Sequence, residues 1–217
     1  MNKQLQKRSR QRRERIFKVA MKAFLKQGYA ATSMSAIAEE VGGSKATLYS
    51  YVKNKQDLFI QCIEQLILDH SAQAFESFDM TTEPRRALTD FCRIFIGFLV
   101  SRKGQALTRL VIGEARRFPE IGRFFYDRAL LSGRQQLADC LEHAMAAGNL
   151  RPADPEIAAR LLIGFCQSGL NQQCLHSVIG HPGADAIAAE ARQVADTFMF
   201  LYGIAGQEGA SPLRAVE

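Results

Sequence analysis

From about Arg10 to Tyr202, apolar residues recur at three- and four-residue steps and show no sustained alternation, which predicts an all-α fold. Ile16, Phe17, Ala20, Met21, Ala23 and Phe24 place the inner face of a first helix over about Arg10–Gln27, ended by Gly28. Met34, Ile37, Ala38 and Val41 mark a short second helix with Ser33 as its N-cap, and Gly42–Gly43 stop it. Ser44 can cap a third, in which Leu48 and Val52 point inward while Ala46, Thr47 and Ser50 face out. Asn54 then opens a long fourth helix on Leu58, Phe59, Cys62, Ile63, Leu66 and Ile67. Five more follow by the same pattern: about Pro84–Ser101, Gln105–Arg117, Pro119 to the Gly148–Asn149 stop, one capped by Asp154 with Pro155 in its first turn, and about Asp185–Tyr202. HSVIGHPG breaks the chain before the ninth helix, and GQEGASPLRAVE is a loose tail.

Ser33 to Lys55 reads as a helix-turn-helix whose second helix has a small, polar outer face. Short side chains there permit the hydrogen-bonding approach to base edges that bulky apolar ones would block. The order G-Y-x-x-T-S-M-x-x-I-A from Gly28 to Ala38, followed by S-K-x-T-L-Y-x-Y-V-K-N-K from Ser44 to Lys55, resembles the DNA-binding domain of the TetR family of bacterial transcriptional regulators. Three positions depart from the commonest pattern: Val41 where Ala is usual, Gly43 where Val is usual, and Val52 where Phe is frequent. Gly43 lacks a side chain that usually plugs the small core between the two helices, so a looser turn is expected. The resemblance implies that Lys45, Thr47, Tyr49, Tyr51 and Lys55 face DNA. Read with the residues themselves, Lys45, Ala46, Thr47 and Ser50 approach base edges, Tyr49, Tyr51, Lys55 and Ser33 hold phosphates, and Ser35 touches the neighbouring backbone or a base.

Charge sharpens this division. Residues 1–55 carry 13 Lys/Arg against 3 Asp/Glu, net +10, whereas residues 56–217 carry 15 against 19, net −4. A concentrated positive end is the footprint expected for a polyanion such as double-stranded DNA, and the acidic remainder argues against a second nucleic-acid surface. Within the basic start, Lys7, Arg8, Arg10, Arg12 and Arg13 suit an N-terminal arm that neutralises phosphates or enters the minor groove, or else a solvated terminus. That start has no apolar block after its charges and the chain has no run of eighteen apolar residues, so neither a signal peptide nor a spanning helix is expected, and a cytoplasmic location without membrane partners is.

The expected domains are 1–55 for DNA binding, 56–206 for regulation and dimerisation, and 207–217 as a flexible tail. The eighth and ninth predicted helices are apolar around more of their circumference than a surface helix needs, and the ninth is rich in Ala. They fit a four-helix bundle with a second copy of the chain, as in the resembled family, giving a homodimer with two recognition helices. Arg109 to Leu130, RLVIGEARRFPEIGRFFYDRAL, resembles the C-terminal region of the AefR-like subgroup. By that analogy a cavity between the fifth to eighth helices would take a small apolar or amphipathic ligand, with Phe95, Phe98, Leu110 and Phe165 as walls and Arg109 and Glu114 as its polar groups. The competing reading is core packing, with Glu114 and Arg117 as a surface ion pair.

No cofactor or metal is expected. The five cysteines are far apart without C-x-x-C, and Cys174, His176 and His181 lack a fourth ligand. A redox role for Cys166 or Cys174 depends on thiolate character that the sequence does not reveal. No nucleophile and base stand in a catalytic pattern, so the chain is read as a non-enzyme. The expected function is a dimeric, sequence-specific regulator, a repressor released from a palindromic operator by a small molecule. The rival is a ligand- or protein-binding module that holds DNA only as a polyanion.

Overall fold

The computed structural model describes residues 2–75, 78–80 and 83–204; the expected tail at 207–217 lies outside them. The described residues form eleven α-helices: α1 (Asn2–Gln27), α2 (Met34–Val41), α3 (Lys45–Tyr49), α4 (Lys55–Phe75), α5 (Pro84–Val100), α6 (Arg102–Ala115), α7 (Pro119–Phe125), α8 (Ser132–Ala146), α9 (Pro155–Ser168), α10 (Leu170–Leu175) and α11 (Ala184–Tyr202). A π-helical turn, Tyr126–Leu131, lies between α7 and α8. One antiparallel bridge, Leu150 with Gly203, is the sole strand-like pairing among the described residues. None of their helices is long and apolar enough to cross a membrane.

The described residues fold as two compact units, one drawn from residues 1–68 with 106–129 and the other from residues 69–105 with 130–217. The first extends past the functional boundary expected at residue 55: it takes in most of the visible α4 core and returns for the larger part of α6 and all of α7. Its interior is built on Ile16, Phe17, Ala20 and Phe24 of α1, Ile37 of α2, Leu48 of α3 and Leu58, Phe59 and Ile63 of α4, with Leu107, Val111 and Ile121 from the returning segment, all buried. The second packs α5 with α11 and α8 with α9 around Leu88, Cys92, Ile96, Leu137, Leu141, Leu162, Cys166 and Phe198. Those of α1 to α4 are the apolar stripes read from the sequence, and burial of all these residues supplies most of the drive to fold.

Four boundaries differ from expectation. The basic start is helical from Asn2: Lys, Gln and Arg are good helix formers, and Arg10 pairs with Glu14 one turn on at 3.0 Å. The sixth helix begins at Arg102 and contains Gly104, because the Phe98 carbonyl passes so close that a Cβ would collide with it. The long seventh helix is interrupted by the π turn, none of whose six residues is buried. The eighth is cut at Gly169, where the carboxylate of Glu190 accepts from the Leu170 amide at 2.9 and 3.1 Å and fills the space a side chain would need.

Candidate nucleic-acid interface

Helix α2 presents Met34, Ile37, Ala38 and Val41 to the core. Ser33 Oγ accepts from the Ser35 amide at 3.2 Å and caps its start. Gly42 closes its end in the left-handed region at φ 78°, a conformation that favours glycine. The amides of Gly42 and Gly43 donate to the carbonyls of Glu39 and Ala38, each at 3.0 Å. The looser turn expected from Gly43 is therefore not found, since backbone hydrogen bonds close it without any side chain.

Helix α3 is held just as locally. Ser44 Oγ accepts from the Thr47 amide at 3.1 Å and lies 3.0 Å from Thr47 Oγ1, while the Ser50 hydroxyl donates to the Thr47 carbonyl at 2.7 Å. Leu48 and Val52 turn inward and are buried. Lys45, Ala46, Tyr49 and Ser50 are exposed, as are Ser33 and Ser35, and Thr47 and Tyr51 are half-buried. Eight of the nine DNA-facing candidates thus surround two capped helices, and Tyr49 is 47% exposed. Thr47 and Ser50 keep their hydroxyls in local bonds, so Thr47 presents mainly its methyl group and Ser50 its oxygen lone pairs. Ser33 still has its proton to donate, because its cap bond uses only the oxygen.

Lys55, the ninth, begins α4 and reaches back across the domain. Its Nζ donates to the Ala30 carbonyl at 2.9 Å and lies 4.8 Å from the centre of the Tyr29 ring. Tyr29 is buried among Phe24, Phe59 and Phe118, with ring centres 5.8, 5.1 and 4.9 Å away. Burial, and then the negative charges of Glu120 and Glu114, push its phenol above the usual range. Burial lowers Lys55, with Glu114 opposing that shift and Arg117 adding to it. The amide of the same Ala30 donates to Glu114 Oε1 at 3.2 Å. Glu114 and Lys55 therefore hold the two ends of one peptide residue in the turn that leads into α2.

The six expected ligand residues fall into both units. Phe95, Phe98 and Phe165 belong to the second, partly buried against its core; Phe95 lies 5.9 Å from Phe91, and Phe98 lies 4.0 Å from the His70 ring. Arg109, Leu110 and Glu114 belong to the first. The position of Glu114 on the Ala30 amide has no signal in the sequence, because the bond spans 84 residues. A groove of about 920 Å³ in the second unit is lined by Glu83, Pro84, Arg85, Arg86, Thr89, Asp90, Arg192, Asp196 and Met199, and none of the six is among them.

The five cysteines are in no disulfide: Cys62, Cys92, Cys166 and Cys174 are buried and Cys140 half-buried. Burial pushes Cys62 up to about 12, and the hydrogen bond with Cys92, followed by burial, holds Cys166 well above the usual thiol range, so neither is a ready thiolate at neutral pH. Cys174, His176 and His181 meet the carbonyls of Gly180, Gln172 and Val100, three separate partners.

Residues 16–62 match the family described as bacterial regulatory proteins, tetR family, and residues 86–204 match the C-terminal domain of AefR-like transcriptional repressors. The chain belongs to the TetR family, in its AefR-like subgroup. It is a DNA-binding transcriptional regulator. The chain is 26% identical over 159 residues to the HTH-type transcriptional regulator YhgD of Bacillus subtilis (strain 168), covering 70% of this chain and 78% of the relative. A TetR-family transcriptional regulator of Mesorhizobium loti MAFF303099 superposes with a TM-score of 0.81 at 25% identity over 91% of this chain and 99% of that structure. The flavonoid-responsive regulator FrrA superposes with a TM-score of 0.69 at 29% identity over 90% and 99%. In this TetR-family chain the capped α2–α3 pair lies within the residues that match the tetR-family description.

Proposed function

We propose that this regulator acts as a homodimeric repressor that leaves a palindromic operator when a small apolar or amphipathic molecule binds its second unit. The observation that carries the DNA half is the outer surface of α3, where Lys45, Ala46, Tyr49 and Ser50 are exposed on a helix capped at Ser44. In this reading Lys45, Ala46, Thr47 and Ser50 meet base edges, and Ser33, Tyr49, Tyr51 and Lys55 meet phosphates. Ser35 touches the adjacent backbone or a base. Lys55 has two N–H groups left after its bond to Ala30, enough for a phosphate oxygen.

Pairing through α9 and α11 is supported by their unburied apolar residues. Ile157 at the start of α9 is 44% exposed, and Phe200 and Leu201 at the end of α11 are 39% and 41% exposed. Along α9, Ile157, Leu161, Gly164 and Ser168 follow a four-three-four spacing and are all exposed or half-buried, a stripe with small residues that lets a second helix approach. Phe95, Phe98 and Phe165 are the apolar groups proposed to meet the ligand. A flavonoid-responsive relative supports a ligand of that character.

Release follows from linkage: a ligand that prefers the arrangement with misplaced recognition helices lowers operator affinity by its ratio of affinities for the two states. The test is a screen of small apolar and amphipathic compounds against the protein bound to its selected operator. Saturable release by one compound, weakened by Phe98→Ala, is expected; a complex that no bound compound perturbs would leave a repressor without an inducer.

A further inference from the structure

Two polar side chains lie buried in the second unit. Gln105, in the first turn of α6, and Asn171 of α10 are each 6% exposed. Gln105 Nε2 donates to the Leu99 carbonyl at 2.7 Å and to Asn171 Oδ1 at 3.0 Å, and Asn171 Nδ2 donates to the Gln167 carbonyl at 3.4 Å. Both side-chain N–H groups of Gln105 are thereby used. Its Oε1 is buried without a hydrogen-bond partner, alone in this among the buried side-chain oxygens and nitrogens of the described residues.

The orientation of this amide is dictated by its surroundings. A backbone carbonyl can only accept, so the nitrogen of Gln105 must face Leu99 and the oxygen must face elsewhere. The turn between α5 and α6 is held as firmly. The Ser101 hydroxyl donates to the Phe98 carbonyl at 2.7 Å, the Gly104 amide donates to Ser101 Oγ at 2.9 Å, and the Gln105 amide donates to the Ser101 carbonyl at 2.9 Å. Gln105 therefore presents a fixed acceptor from the same turn that carries Phe98 and Leu99, both half-buried. A buried carbonyl without a donor destabilises the fold, and a group that brings a donor to it recovers that loss.

We propose that Gln105 is the polar anchor of the small-molecule site in the second unit, and that the ligand is a neutral, largely apolar molecule whose O–H or N–H group donates to Oε1. This rests on the reading above, in which Phe98 meets the ligand, and narrows the chemistry of that ligand. An ether or hydrocarbon of the same shape leaves Oε1 without a donor, and a carboxylate sets negative oxygens against it. Selectivity then comes from the one unmet acceptor, not from the apolar walls, which hold all these molecules alike.

The test is titration calorimetry on the full-length protein with matched probes: p-cresol, p-phenylphenol and n-octanol, each beside its methyl ether and its parent hydrocarbon, and n-octanoate beside n-octanol. At least one alcohol is expected to bind about ten-fold more tightly than its ether and hydrocarbon, and octanoate to bind more weakly than octanol. Gln105→Met keeps the length of the side chain and removes the amide; it should bring the alcohol down to the affinity of the ether and leave the ether unchanged. Should Gln105→Met lower the thermal midpoint, the comparison of alcohol with ether on the wild-type protein carries the test. Equal binding of alcohol and ether, a preference for octanoate, or a preference for the alcohol that survives in a folded Gln105→Met protein would each overturn the assignment. So would a crystal structure of the alcohol complex in which a water, not the ligand hydroxyl, donates to Oε1. Ethers or hydrocarbons that bind equally well and release the operator would remove only this anchor, whereas no binding by any probe would overturn the small-molecule reading together with it.

Discussion

Lys55 Nζ donates to the Ala30 carbonyl at 2.9 Å, joining the first residue of α4 to the turn that precedes α2. Glu114 accepts from the amide of the same residue, so the turn is held by a cation on one side and a carboxylate on the other. Position and charge are thereby combined in Lys55. Lys55→Ala is expected to weaken operator and random DNA alike and to lower the salt slope by about one. An unchanged slope with a lowered thermal midpoint would assign Lys55 to the turn alone.

Glu114→Ala removes the second support and leaves any phosphate contact of Lys55 in place. It should cost about 1 kcal/mol of stability, the usual net value of such a hydrogen bond near solvent. Operator affinity should fall with the salt slope preserved, which denaturant titration and binding at several salt concentrations can separate from the Lys55 effect. A Glu114→Ala protein of wild-type stability would show that Lys55 suffices to hold Ala30.

Ser44 and Thr47 divide into structural and reading roles. Ser44→Ala removes the cap of α3 and should cost about 1 kcal/mol, with operator binding weakened at every base position because the whole helix frays. Thr47→Ala keeps the cap acceptor and removes both the methyl group and the hydroxyl beside Ser44 Oγ, so it should change preference at one symmetric pair of operator positions. Selection of bound sequences by each variant distinguishes the two outcomes.

The start of α4 gives a pH dependence with a definite sign. Asn54 Oδ1 accepts from the Asp57 amide at 2.8 Å, and Asp57 Oδ2 accepts from the Lys53 amide at 2.7 Å, a reciprocal cap. The hydrogen bond from Gln61, then that from Lys53, holds the Asp57 carboxyl below its usual range, against a smaller opposing effect of burial. A carboxylate lowered in the folded state adds stability above its unfolded pKa and loses it as pH falls through the folded value. Asp57→Asn should therefore be less stable than wild type at neutral pH, with the gap closing in acid. A constant gap across the acid range would mean that the cap, not the charge, sets the cost.

Much of this architecture is legible because burial repeats every turn: Ile16, Ala20 and Phe24 on α1, and Met34, Ile37 and Val41 on α2, are apolar in sequence and buried in the fold. Caps are legible for a similar reason, since Ser33, Ser44, Asn54 and Asp154 each act within three residues. The break at Gly169 is not, because it depends on Glu190, a partner from another helix. The π turn is hidden as well, its residues continuing the helical composition on either side. Local motif similarity locates the α3 surface, whereas the support of Ala30 by Glu114 arises from chain folding over a long separation.

Pairing through α9 and α11 predicts that the wild-type protein sediments as a dimer. Ile157→Glu together with Leu201→Glu should give monomers that keep the helical spectrum, since both residues are already exposed, and should lose most operator affinity because one recognition helix binds weakly. A double variant that remains dimeric would place the interface elsewhere.

The central claim, sequence-specific binding by a paired α2–α3 element, is tested most directly by selecting bound sequences from a random double-stranded pool with the purified full-length protein. A palindromic motif with half-sites about one helical turn apart is predicted. A featureless pool with steep salt dependence would contradict it, leaving the basic end as a binder of DNA charge alone.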